Sequence, residues 1–436
     1  MIRKFLRRVF ASDDAPIVIP RARHGIGADQ ISPAARQVTM TLTQSRHAAF
    51  VVGGAVRDLL LKRRPKDFDV VTDATPDRVR GLFRRSRIIG RRFRLVQVIN
   101  DGEIVEVSTF RGNDAASEVD ERGRVLRDNV FGTQAQDAAR RDFTVNALFY
   151  DPKSERILDY RGGYADLVAR RLRTIGDAEA RYREDPVRML RAVRLSAALG
   201  LKLDSATAAP IAKLAPLLRF VPAARVFDEM LKLLLSGHAT ECLRALRAQG
   251  LHHGLLPLLD VILEQPLGER FVWLALAETD ERIRQGKPVS PSFLFATLLW
   301  HEVLSAWSAA EKAGMSPHAA LKQAMDQVID LQTETLAIPR RFCAVTKDIW
   351  SLQPRFAHRS GARAFRLLNH PRFRAGFDFL NLRAQSGEVE SEIAEWWRRF
   401  QSVDADERKA MLLPGEPRRK RRRRKPKAVT QAEPAT

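Results

Sequence analysis

The chain has 436 residues, long for a single domain, so two or three domains with sizeable cores are expected. Its 74 Lys and Arg against 52 Asp and Glu give a net charge of +22 and an isoelectric point near 10.7, which points to a polyanionic partner, either nucleic acid or an anionic membrane surface. A hydrophobic fraction of 45% excludes wholesale disorder, no apolar run approaches the roughly 18 residues that span a bilayer, and two distant cysteines, Cys242 and Cys343, exclude a disulfide framework or a Cys/His zinc site and suit a reducing cytoplasm.

Residues 1–10 (MIRKFLRRVF) carry four basic and no acidic side chains. Only Phe5-Leu6 and Val9-Phe10 break up these charges and no longer apolar core follows, so no export signal is expected; weak peripheral membrane association is the alternative. Residues 11 to about 40 are rich in Pro, Ala, Gly and Asp without lasting periodicity, and 1–44 reads as a flexible basic arm. From Ala48 the pattern changes. AAFVVGG predicts a strand ending in two glycines, AVRDLLLK a helix, and FDVVT a β-branched strand. DATPDRVRGLFRR predicts a helix with Asp73 or Thr75 as cap and Pro76 in its first turn. RFRLVQVIN and EIVEVSTF predict two strands joined at Asp101-Gly102, a hairpin signal. The stretch 78–94 that enters this hairpin holds eight Arg and no acid. Residues 112–130 are polar and turn-rich, and VNALFYD and RILDY supply two more strands. Beyond Asp177 helical periodicity takes over to about 400, as in RVFDEMLKLLLSGH and AFRLLNHPRFRAGFDFLNLRA. His252-His253 falls in an apolar helical stretch and reads as ordinary helix surface. From Pro414 the chain is Pro, Arg and Lys with hardly any apolar residue, a disordered cationic tail with nine basic residues over 418–427. The expected class is α+β: a small mixed-sheet domain followed by all-α domains.

Chemistry is concentrated in four places. In Lys66-Asp67-Phe68-Asp69, a strand would put Asp67 and Asp69 on one face and Phe68 and Val70 on the other, a carboxylate pair suited to divalent metal. Alone, a D-x-D is a common accident of charged chains. Upstream, however, Gly53-Gly54 turns a strand into a helix whose exposed N–H groups favour phosphate, with Arg57 one turn further on. Arg140-Arg141-Asp142 precedes the next apolar strand, and strands of one sheet can bring Asp142 beside Asp67 and Asp69; three carboxylates with two metals suit in-line attack of a hydroxyl on phosphorus, Asp142 assisting its deprotonation. In REDPVRMLRAVR a helix begins at Glu184 or Asp185, and Asp185, Arg188 and Arg191 recur every three residues. Asp185 accepts and Arg188 donates, which matches the N6 and N1 positions of an adenine edge, leaving Arg191 and Arg194 for phosphates or ribose.

VVGGAVRDLLL, PKDFDVVT, RRDFTVNAL and REDPVRMLRAVR, in this order, resemble the motifs of class II nucleotidyltransferases of the polymerase-β superfamily, which comprise tRNA CCA-adding enzymes and bacterial poly(A) polymerases. IIGRRFRLVQV, VLRDNVFG, the HPRFRAGFDFLNLRA helix and the basic tail look more like the bacterial poly(A) polymerase I subfamily, and the resemblance covers about residues 45–425. It implies a catalytic domain over 45–176, a nucleotide-selecting helical neck over 177–250, a helical RNA-binding domain over 251–413 and the tail over 414–436. It implies Asp67, Asp69 and Asp142 as catalytic, the first two holding two Mg²⁺ ions with Mn²⁺ as the alternative. It places Gly53, Gly54, Arg57, Arg141, Asn146, Asp185, Arg188 and Arg191 at the nucleotide. The tail residues Arg418, Arg419, Lys420, Arg421, Arg422, Arg423, Arg424 and Lys425 would contact RNA phosphates. The expected activity is template-independent addition of AMP from ATP to RNA 3′ ends, with RNA-decay machinery as a further partner. The rivals are a CCA-adding tRNA nucleotidyltransferase, which shares the four motifs, and a non-catalytic RNA-binding protein that uses only the basic segments.

Overall fold

The computed structural model describes residues 15–90, 94–112, 130–251, 266–336 and 338–414. The basic stretch 1–10, most of the polar stretch 112–130, His252-His253 and the tail residues Arg418 to Lys425 lie outside the described residues. The chain divides into two compact units, Met1–Cys343 and Ala344–Thr436.

The first unit is built on one mixed sheet of β1 (Ile17–Pro20), β2 (Ala49–Val52), β3 (Asp69–Thr72), β4 (Ser86–Ile89), β5 (Leu95–Asn100), β6 (Glu103–Thr109), β7 (Leu148–Asp151) and β8 (Arg156–Asp159). Their spatial order is β1-β8-β7-β2-β3-β6-β5-β4, with only the β3–β6 pair parallel. The hairpin between β5 and β6 turns at Asp101 (φ 47°) and Gly102 (φ 83°), two left-handed residues whose twist suits a tight hairpin. One sheet face packs Val51, Val70, Val96, Val98, Val105 and Val107 into the main core. The opposite face carries a smaller cluster, Val52, Val71 and Phe149 with Phe110, Ala138 and Ile175.

The expected flexible arm is corrected from residue 15 onward. Ile17–Pro20 is the edge strand β1, paired antiparallel with β8, and Pro33–Gln44 is a helix, α1, capped by Ser32, whose hydroxyl accepts from the Ala35 N–H. α1 buries Ala34, Ala35, Val38 and Leu42 in the main core. Its apolar face is made largely of alanine and threonine, which hides a 3.6-residue period from a count of large hydrophobics. Leu42→Ala is therefore expected to cost about 3 kcal/mol, read as a lowered denaturation midpoint; an arm would tolerate it without change.

The next helices are α2 (Gly54–Leu60), α3 (Pro76–Leu82), α4 (Gln134–Arg140) and α5 (Gly163–Val168). Thr75 caps α3, accepting from the Arg78 N–H, whereas Asp73 holds the Ala48 N–H and His47. After them come α6 (Ala178–Glu184), α7 (Val187–Leu199), α8 (Ala223–Leu234) and α9 (Ala239–Ala248). Strands do not end quite at 177: Lys202–Leu203 pairs in parallel with Arg171–Leu172. Nor does the chain divide at 250, since the first compact unit continues through further helices to Cys343. The second unit contains Gly361–Leu368 and Phe373–Ser386, a break at Pro371 separating what periodicity suggested as one run, then Ser391–Ser402 and Ala405–Ala410. Phe356, Phe373, Phe377, Trp397 and Phe400 form its core, and Trp397 Nε1 donates to the Phe356 carbonyl at 2.8 Å.

Among the described residues no helix is long and apolar enough to cross a membrane. Cys242 is buried and both cysteines are free thiols.

Candidate active site

The side-chain alternation around the D-x-D starts before the hydrogen-bonded strand. Asp67 and Asp69 are exposed and Phe68 and Val70 buried, although β3 begins only at Asp69. Register then makes a row across the sheet: Val52 of β2 opposes Asp69, Asp69 opposes Glu106 of β6, and Glu106 opposes Gln97 of β5. Gln97 Nε2 donates to Glu106 Oε1 at 3.0 Å, and Arg87 Nε donates to Gln97 Oε1 at 3.0 Å, so an arginine of the basic stretch braces the row. Asp69 opens to the cleft yet lies deep in it. Burial pushes its carboxyl up to about 6, Asp67 and Glu106 add to the rise, and Arg141 opposes it.

Like charges crowded on a cleft floor call for a cation. Among the described residues no group of three His, Cys, Asp or Glu is close enough to enclose one unaided. Mg²⁺ commonly takes one or two protein carboxylates and completes its shell with water and substrate phosphate.

Asp142, the third expected acid, is held by four hydrogen bonds. Its Oδ1 accepts from the Phe143 N–H (2.8 Å) and Asn146 Nδ2 (3.0 Å), and its Oδ2 from Arg191 Nε (2.8 Å) and Nη2 (2.5 Å). Burial alone would raise its pKa, but Arg191, Asn146 and the Phe143 N–H together carry it well below the usual carboxylate range. An acid so committed to its ionised form is a poor acceptor for a hydroxyl proton near neutrality. Besides Asp67, Glu106 is a carboxylate that acts on Asp69.

The glycine turn keeps its expected geometry: Gly53 has φ 76° and ψ −131°, which a side chain would strain. Arg57 does not point at the cleft alone. Its Nη1 donates to Asn146 Oδ1 at 2.7 Å and its Nε to Asp58 at 2.8 Å, so Asn146 is held between Arg57 and Asp142. Arg141 is braced by Asp137 Oδ2 (2.9 Å to Nη2) and lies 5.3 Å over the Phe149 ring; its Nη1 would be 3.6 Å from a Cβ at Gly53.

The E-D-P-V-R segment also differs from expectation. α6 ends at Glu184, Asp185 is extended (φ −147°), and α7 starts at Val187 with Pro186 as its N-cap. A residue before proline is pushed out of helical geometry, so Asp185 sits in the break rather than on the helix surface. Asp185 Oδ2 accepts from Arg225 at 2.9 Å, while its Oδ1 is buried and has no hydrogen-bond partner. Arg188 donates to Glu184 Oε2 (2.8 Å) and to the Arg181 carbonyl (2.9 Å). Arg191 and Arg194 are taken up internally, Arg191 by Asp142 and Arg194 by the buried Glu229 of α8 at 2.6 Å.

A cavity of about 430 Å³ joins these parts. Val52, Asp69 and Glu106 line it from the sheet, Arg111, Asp137, Arg140 and Arg141 from the following segment, and Glu184, Asp185, Arg188 and Arg225 from the helices. Carboxylates on the sheet floor together with guanidinium groups in the lining suit a phosphate-rich ligand that brings cations.

Profiles described as the Poly A polymerase head domain, the probable RNA and SrmB-binding site of polymerase A and the polymerase A arginine-rich C-terminus match residues 49–173, 200–263 and 313–428. Poly(A) polymerase I of Salmonella typhi is 45% identical over 94% of this chain and 91% of its own. The chain belongs to the bacterial poly(A) polymerase I family. It is a nucleotidyltransferase acting on RNA, of a family that generally works with divalent metal ions. The poly(A) polymerase I of Haemophilus influenzae is 43% identical over 91% of this chain and 90% of its own. Among solved structures, the Bacillus stearothermophilus CCA-adding enzyme in complex with CTP superposes with a TM-score of 0.59 at 27% identity, covering 85% of this chain and 82% of that one.

Within the poly(A) polymerase head, Glu106 escaped the sequence reading because EIVEV looks like an ordinary half-buried strand. Arg225 and Glu229 escaped it because their partners lie 40 and 35 residues away. The proline after Asp185 was a legible signal for the helix break.

Proposed function

We propose that this polymerase adds AMP from ATP to RNA 3′ ends without a template. The supporting observation is that one cavity joins Asp69 and Glu106 on the sheet to Asp185 and Arg188 at the helical break. Asp67 and Asp69 would hold two Mg²⁺ ions, or Mn²⁺, which when bound activate the RNA 3′-hydroxyl and stabilise the leaving pyrophosphate. Glu106, oriented by Gln97, deepens the negative corner that makes Asp69 a ligand. Arg140 and Arg141 receive the triphosphate beside the backbone turn at Gly53 and Gly54. Asp142 serves by holding Asn146 and Arg191, and through Asn146 the Arg57 guanidinium. Asp185 and Arg188 line the cavity, where the Asp185 carboxylate would accept from the adenine N6 amine and Arg188 would donate to N1.

The helical regions and the basic tail, Arg418 to Lys425, would hold the RNA body through phosphate contacts that weaken with salt. A cytoplasmic role in marking RNA for the decay machinery completes the proposal. A CCA-adding function is the second reading, favoured by the likeness to the CTP-bound CCA-adding enzyme. Offering ATP alone and CTP alone with an unstructured RNA separates them. Long A tails with ATP and negligible CMP incorporation are expected; CMP and AMP completion of tRNA ends would overturn the proposal.

A further inference from the structure

Arg181 is not among the residues that line the cavity, yet it links the backbone at Arg140 and Arg141 to the side chain of Glu184, and all three of those residues line it. Its side chain is 16% exposed. Nη2 donates to the carbonyl of Arg140 at 2.6 Å and to that of Arg141 at 2.8 Å, where α4 ends and its last carbonyls have no helical partner. Nη1 donates to Glu184 Oε2 at 2.6 Å. The same oxygen accepts from Arg188 at 2.8 Å, and Arg188 donates back to the Arg181 carbonyl at 2.9 Å, closing a ring. The next residue after these two carbonyls is Asp142, and Arg141 has already turned to extended geometry (φ −64°, ψ 162°).

We propose that Arg181 is a positioning residue that couples the base-reading side chains to the backbone presenting Arg140, Arg141 and Asp142. When Arg188 engages a base, the Glu184 carboxylate it shares with Arg181 is repartitioned, and Arg181 carries that change to the two carbonyls. Base fit and the seating of the triphosphate arginines thereby become one event, so an ill-fitting base leaves the triphosphate badly held. The inference rests on the proposed use of ATP.

The test compares wild-type enzyme with Arg181→Lys and Arg181→Met, measuring kcat, KM for ATP, KM for RNA and the ratio of kcat/KM for ATP over CTP. Loss of a charge-assisted bond to carbonyl and carboxylate partners is expected to raise KM for ATP by about tenfold or more in Arg181→Met. KM for RNA should stay within about twofold, and the ATP:CTP ratio should fall by about tenfold. Lysine should restore part of both effects. A purely structural role would lower the active fraction, hence kcat, and leave KM for ATP and the ratio unmoved. Should the Arg181 variants fold poorly, Glu184→Gln loosens the tie to Arg188 while leaving the two carbonyl bonds, and the same rise in KM and fall in ratio are expected. Unchanged KM for ATP and an unchanged ratio in folded variants overturn the coupling. A wild-type enzyme without ATP preference overturns instead the functional proposal on which it rests.

Discussion

Asp69→Asn is expected to abolish AMP incorporation, by at least about a thousandfold in kcat, while the protein stays folded. The activity loss would follow from removing a charged oxygen at the corner proposed to bring nucleotide phosphates and their cations together, where Asp69 lines the cavity. Stability should move the other way. Asp69 lies beside Asp67 and directly opposite Glu106, so the neutral isostere relieves repulsion that the native chain carries without a cation. With a chelator present, the midpoint of thermal unfolding should be unchanged or higher than that of the wild type. Asp67→Asn should behave alike, and Glu106→Gln should lose less, since amide and carboxylate can both accept from Gln97. Substantial extension by Asp69→Asn would remove the metal assignment.

Arg191→Met is expected to be the most destabilising of the site substitutions. It strips the ion-pair partner from Asp142 and a neighbouring charge from Glu229, which is 4% exposed. Breaking a buried pair by deleting one member costs about 3–5 kcal/mol, and because a third of Arg191 reaches solvent the lower end, about 3 kcal/mol, applies. The pH dependence has a definite sign. Asp142 has a depressed native pKa, so the pair's contribution is complete above the unfolded carboxylate value of about 4 and is lost as pH falls towards the native value. The stability gap between wild type and variant should therefore hold from neutrality down to about pH 4 and narrow in stronger acid. Thermal unfolding across that range is the measurement, and a gap that is absent at pH 7 would show that the pair does not bear on stability.

What the sequence disclosed and what it hid divide along a physical line. Features governed by neighbouring residues were legible: the Asp101-Gly102 hairpin, the Gly53 turn, the alternation from Asp67 to Val70, and the cap and proline that start α3. Features governed by pairing across the fold were not. Glu106 becomes a site residue only through the parallel register of β3 with β6, and Asp142 is tied to Arg191, 49 residues on, by both bonds to its Oδ2. α1 fell between the two cases, since its period was present but written in small residues.

The pairing of β1 with β8 also bears on the order in which the molecule assembles. These strands bracket the domain's sequence, and the Arg21–Glu155 bond beside them spans 134 residues. Closing so large a loop costs entropy that only the completed contacts repay, so this edge should form late. During synthesis, β1 emerges well before β8 and must wait, with Ile19 uncovered, until β8 has followed it out. That edge of the sheet is thus sealed by a strand made long before its partner.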